Sequence, residues 1–116
     1  MEISADVTNS GGRAGSEVVQ LHVRDATTAR EDLRALMHTL SPDLAGQPAR
    51  GVLLFSCNGR GAHLYGEPDY DSRVVAETTG AIPMAGFFCN GEIGPIGTGN
   101  FLHGFTASIG IFQEKA

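Results

Sequence analysis

Gly51-Val52-Leu53-Leu54-Phe55-Ser56-Cys57-Asn58-Gly59-Arg60-Gly61 is the stretch on which the fold turns. It is a short continuous apolar run bounded on both sides by turn residues. Such a run reads as a fully buried strand. The same letters return downstream. A second apolar run, Ile82 to Cys89, ends Phe87-Phe88-Cys89-Asn90-Gly91-Glu92-Ile93-Gly94, again with Cys-Asn-Gly and a charged residue at the same offset. Between the two runs, Tyr70 to Thr79 reads as a helix, capped by Asp69 or Asp71 and stopped by Gly80. A strand–helix–strand crossover implies that the two strands are parallel.

Working toward the N-terminus, Thr28-Ala29-Arg30-Glu31 has the form of a capping box. Ala29, Leu33, Leu36, Met37 and Leu40 follow at helical spacing, and Ser41-Pro42 is expected to end that helix. Before it, Ile3 to Asn9 and Glu17 to Asp25 alternate apolar and polar residues around Asn9-Ser10-Gly11-Gly12, which predicts two strands. Toward the C-terminus, a glycine-rich loop precedes a last strand from Leu102 to Phe112. The predicted order is β-β-α-β-α-β-β. The strands around Leu21, Leu54 and Phe87 should be parallel and the last one antiparallel. The fold class is α/β (α+β), a mixed β-sheet with two helices packed on one face. Its other face then needs cover from another domain or subunit, because a large exposed apolar patch is unusual on a monomer.

The 116 residues suit a single domain, 1–116, rather than two. Hydrophobic content of 41% against 18% charged is globular composition and argues against disorder. The net charge of −5 leaves no basic stripe for a phosphate backbone, so no nucleic-acid partner is expected. No apolar run approaches the ~20 residues of a membrane span, and the first residues lack the pattern of a signal peptide. A cytoplasmic location follows as the expectation. Two cysteines, Cys57 and Cys89, then read as a reduced pair, although a disulfide is conceivable if their strands are neighbours.

If the two runs are parallel, both Cys-Asn-Gly turns leave the carboxyl edge of the sheet, where open α/β sheets bind ligands. Cys57, Asn58, Arg60, Cys89, Asn90 and Glu92 are the candidate ligand-binding residues, with Asn100 and His103 near the last strand as further members. The planar fork of arginine suits a carboxylate and glutamate suits an ammonium, so Arg60 and Glu92 together match an amino acid. The same two residues equally suit each other, as a staple between the loops. Cysteine catalysis needs a base and a lowered pKa, and the sequence brings neither His63 nor His103 to a sulfur. Cys57, His63, Cys89 and His103 lack the usual zinc spacings. No catalytic residue, metal or cofactor is therefore assigned.

With those residues in view, a family resemblance emerges. Leu53 to Gly61, Gly66-Glu67-Pro68-Asp69, Pro83 to Pro95, and Asn100-Phe101-Leu102-His103-Gly104-Phe105-Thr106 together resemble the FIST C-terminal domain, over about residues 20–113. His22-Val23-Arg24-Asp25 and the following helix with Asp32-Leu33 fit as well. The resemblance implies a sensory domain of bacterial signal transduction that binds a small, amino-acid-like molecule. It also implies an N-terminal FIST half, or a signalling output domain, as partner in a longer protein. It does not imply a reaction. The alternative is a structural module whose sheet face packs on a partner or forms a homo-oligomer; a small cysteine-dependent enzyme is a third reading. Residues 1–19 are atypical for the family. The segment of about residues 3–25, through Val7-Thr8-Asn9-Ser10-Gly11-Gly12 and Val18-Val19-Gln20-Leu21, resembles the start of the non-catalytic fibronectin-III-like domain of family 3 β-glucosidases.

Overall fold

The computed structural model describes residues 25–114, and the two strands expected ahead of them lie outside the described residues. Helix α1 is Ala26–Gly46, 21 residues long. Its cap is Asp25, whose carboxylate accepts from the Thr28 amide at 2.8 Å and from the Thr28 hydroxyl at 2.9 Å. The helix thus starts earlier than the capping box placed it. Aspartate caps better than threonine, and here the threonine donates to the cap instead of forming it. The helix also runs through Pro42. A proline there leaves the His38 carbonyl without its N–H, but His38 is exposed and water can take that place. Ala29, Leu33 and Met37 are buried, with Leu40 partly so, while Leu36 stays exposed.

Strand β1, Ala49–Cys57, is the centre of a three-stranded sheet. A 3₁₀ turn at Asn58–Arg60 and the one-turn helix α2, Ala62–Tyr65, leave it. Helix α3, Tyr70–Thr79, has the predicted ends and stops at Gly80, whose φ is 84°. Strand β2, Met84–Cys89, then returns parallel to β1, with Phe55 opposite Phe87 and Cys57 opposite Cys89. That is the predicted crossover. At Gly86 the strands are so close that a Cβ would lie 1.7 Å from the Leu54 carbonyl oxygen, so only glycine fits.

The C-terminal part departs from the prediction. The expected strand from Leu102 to Phe112 is two strands, divided at Gly104 and Phe105, the latter at φ 60°. Strand β4, Gly99–His103, pairs with β3, Glu92–Ile96, in a separate antiparallel hairpin. Its two-residue turn starts at Gly97, φ 59°, the position where glycine serves a type II′ turn. Strand β5, Ala107–Gln113, is antiparallel to β1 as predicted and gives the sheet order β2-β1-β5. The glycine-rich stretch read as a loop is therefore mostly hairpin.

The register assigns the faces. Val52 and Leu54 of β1 share a side with Met84, Ile109 and Ile111, and the buried stripes of α1 and α3 pack there. Both helices lie on one face, as the sequence predicts. The other face carries Leu53, Phe87 and Phe112, all exposed. Neither apolar run is therefore a fully buried strand. Strand β1 alternates, and β2 is an edge strand whose Phe87 is 66% exposed. An apolar run records that both faces tolerate burial; it does not record what covers them.

Candidate functional site

Four segments converge on one carboxylate. Ser56 near the end of β1 points toward the helices. Arg60 ends the 3₁₀ turn, Tyr65 ends α2, and Asp71 sits in the first turn of α3. Arg60 forks onto Asp71, Nε to Oδ2 at 2.9 Å and Nη2 to Oδ1 at 3.0 Å. The Tyr65 hydroxyl donates to Oδ1 and the Ser56 hydroxyl to Oδ2, each at 3.0 Å. The Arg60 and Asp71 side chains are each only 7% exposed. Such a buried ion pair is tolerated because both carboxylate oxygens are fully engaged. Desolvation works to lower the Arg60 pKa, but the hydrogen bonds and charge of Asp71 outweigh it and hold the guanidinium above its ordinary value. Desolvation pushes the Tyr65 phenol far up, against the pull of Arg60 and with help from Asp71. Tyr65 is therefore a fixed donor to Asp71.

The segment bearing Tyr65 is tied to α1 by Arg30. Its Nη2 donates to the Tyr65 carbonyl at 2.7 Å and to Glu67 at 2.9 Å, and Glu67 also pairs with Arg73. Against this scaffold opens a cleft of about 490 Å³, between β2 and the first turn of α3. Its walls include Leu54, Met84, Phe87 and Phe88, with Ser56 and Asp71 among its polar groups. A mostly apolar cleft with a few fixed polar groups is the usual form of a small-molecule site.

The two Cys-Asn-Gly turns do meet. Asn58 Nδ2 donates to Asn90 Oδ1 at 2.6 Å, and both side chains are exposed. Arg60 and Glu92 do not meet. Arg60 turns to Asp71 on the helix side. Glu92, 1% exposed, turns to the other side, where it accepts from the Cys89 thiol at 3.4 Å and the Thr106 amide at 3.3 Å. The staple expected between these two residues is thus replaced by two separate anchors. Cys57 Sγ accepts from the Gly59 amide at 3.4 Å and caps the 3₁₀ turn. Both cysteines are free thiols. Desolvation, with Glu92 next, pushes the Cys89 thiol up, away from the lowered pKa of a nucleophile.

Asn100 and His103 belong to the hairpin. Asn100 is exposed opposite Pro95, and His103 Nε2 contacts the Gly94 carbonyl at 3.1 Å. Among the described residues no cluster of three or more histidine, cysteine or acidic side chains is arranged to hold a metal, and no helix is long and apolar enough to cross a membrane. Sequence reasoning missed Ser56, Tyr65 and Asp71 as a group. One signal was available: Asp69 and Asp71 competed for one cap position, and the loser had to do something else. Asp69 takes the cap position without a side-chain cap bond, and Asp71 faces inward.

The chain matches the family described as the FIST C domain over residues 13–95, which includes β1, α3 and β2. The match begins inside the segment that resembles a fibronectin-III-like start, and that second resemblance is not borne out. An uncharacterised protein of Mycobacterium tuberculosis is 49% identical over 96 residues, covering 83% of this chain and 25% of the relative. One of Mycobacterium bovis is 50% identical over 96 residues, with the same coverage of 83% and 25%. The chain therefore spans about a quarter of the length of these relatives. No solved structure matches.

Proposed function

The chain belongs to the FIST C domain family, associated with sensing in signal transduction, and on that premise we propose that it binds an amino-acid-like small molecule beside its two Cys-Asn-Gly turns. The cleft of about 490 Å³ carries the reading. It lies toward the carboxyl ends of two parallel strands, where ligands gather in α/β sheets. Leu54, Met84 and Phe88 offer an apolar wall for a side chain, and Ser56, Asp71 and Ser72 line the cleft for polar ends. Arg60 acts indirectly, by holding Asp71 and the wall of the cleft. In a longer protein, an N-terminal FIST half or an output domain receives the signal.

A thermal-shift panel of amino acids and small carboxylates tests this, since a ligand of the folded state raises Tm by mass action. Apolar amino acids should give the largest shifts, and Phe88→Ala should weaken them without unfolding the chain, because Phe88 is exposed. A folded chain that responds to no compound, or a response untouched by Phe88→Ala, would sink the assignment. One observation favours a second reading, a packing module: Phe87, Phe112, Ile93 and Leu102 are exposed, Leu102 at 77%. Concentration-dependent self-association that Phe87→Ser abolishes would support it.

A further inference from the structure

We infer that Cys57 and Cys89 form a reversible disulfide by exchange with a low-molecular-weight disulfide, Cys89 attacking first and Cys57 resolving. Four observations carry the inference, and none depends on the ligand cleft. The two residues are direct register partners on parallel neighbours, so both side chains leave the same face. In-register partners on adjacent strands lie about 4.8 Å apart, within the ~4.4–6.8 Å a disulfide spans. Both are free thiols. Their surroundings differ in a useful way. Cys89 is half-buried and lines a cavity of about 400 Å³ on the open face, whereas Cys57 is buried. The Cys89 thiol donates to the Glu92 carboxylate, which is itself almost wholly enclosed.

The accessible thiol can therefore meet a disulfide from solvent, and the enclosed thiol has the accessible one as its register partner. Cys89 gives up its proton to water, and its thiolate attacks one sulfur of RSSR. A Cys89–SR bond forms, and RS⁻ leaves and takes up a proton as RSH. The Cys57 thiol then gives up its proton, attacks the Cys89 sulfur, and expels the second RS⁻, which leaves as RSH. Two protein thiols are oxidised by two electrons, and RSSR is reduced to two RSH. Oxidation would tie the ends of β1 and β2 together and take the thiol donor from Glu92. That carboxylate would keep its bond from the Thr106 amide, just before β5.

Oxidised glutathione is the probe, with acid quenching and intact-mass analysis. The wild-type chain should lose two hydrogens, carry no lasting glutathione, and yield one peptide linking Cys57 to Cys89. Cys57→Ser should stop at one glutathione on Cys89, and Cys89→Ser should stay unmodified. Glu92→Gln should speed the first step, because the Glu92 carboxylate helps hold the Cys89 thiol protonated. A wild-type chain that keeps two thiols, ends as a stable mixed disulfide, or links only between chains would overturn the proposal. So would rapid modification of Cys57 in Cys89→Ser.

Discussion

The turn after β1 and the turn after β2 share Cys-Asn-Gly and a charged residue three places past the cysteine, yet they send those charges to opposite sides of the sheet. After the first, Arg60-Gly61-Ala62 keeps winding through a 3₁₀ turn into α2, toward the helices and Asp71. After the second, Glu92-Ile93-Gly94 straightens into β3, and Glu92 is caught under Cys89 and Thr106. The cysteines stay in register throughout. Identical letters do not fix the local turn, since Asn58–Arg60 winds as 3₁₀ while Asn90-Gly91 only bends before β3, and that path decides which face receives the charge. The helix-side turn builds a rigid network against the core. The open-side turn builds a thiol–carboxylate contact beside an exposed apolar surface.

Removing the carboxylate of the helix-side network should have the largest effect. Asp71→Ala leaves Arg60 as a buried charge without its partner, and the loss should be about 3–5 kcal/mol. Urea denaturation would register it as a lower midpoint with an unchanged slope. A loss below about 1 kcal/mol would mean that water already shares the pair. On the open side, Phe87→Ser should change stability by no more than about 0.5 kcal/mol, because the ring is already in solvent. A larger loss would show that this face is covered in solution, and the contrast between the faces would fail.

The smallest effect concerns acid. Hydrogen bonding to Arg73 holds the Glu67 carboxyl below its ordinary value. The folded form binds that proton less readily than the unfolded chain. The stabilisation is therefore present above the ordinary value of 4.5 and fades as pH falls through the lower folded one. Thermal melts from neutral pH downward should show Glu67→Gln with a flatter decline than the wild type in that window. Parallel curves would mean that the pair is screened at the surface.

Much of this was legible from the chain. The crossover of two apolar runs, their parallel direction, the ends of α3 and the antiparallel last strand all rest on local patterns. Periodicity and caps report short-range geometry, and the described structure follows them. The meeting of Asn58 with Asn90 follows from the register of the two strands, which the structure supplies. The errors share another cause. The hairpin hid within a glycine-rich stretch because its Gly97-Thr98 turn lacks the Asn-Gly signature. Arg60 was matched to Glu92 because their offsets agree, although offset says nothing about which face a turn winds toward.

The sequence by itself determined β1, α3 and β2, the parallel direction of the two runs that end in Cys-Asn-Gly, and the family, because hydrophobic period, capping residues and motif order are properties of neighbouring residues. Only the tertiary structure decided the partner of Arg60, the enclosure of Glu92 and the exposure of Phe87. Charge pairing and burial depend on distances between segments remote in sequence. Asp71, 11 residues beyond Arg60, reaches it only after α2 and α3 have folded back over the end of β1.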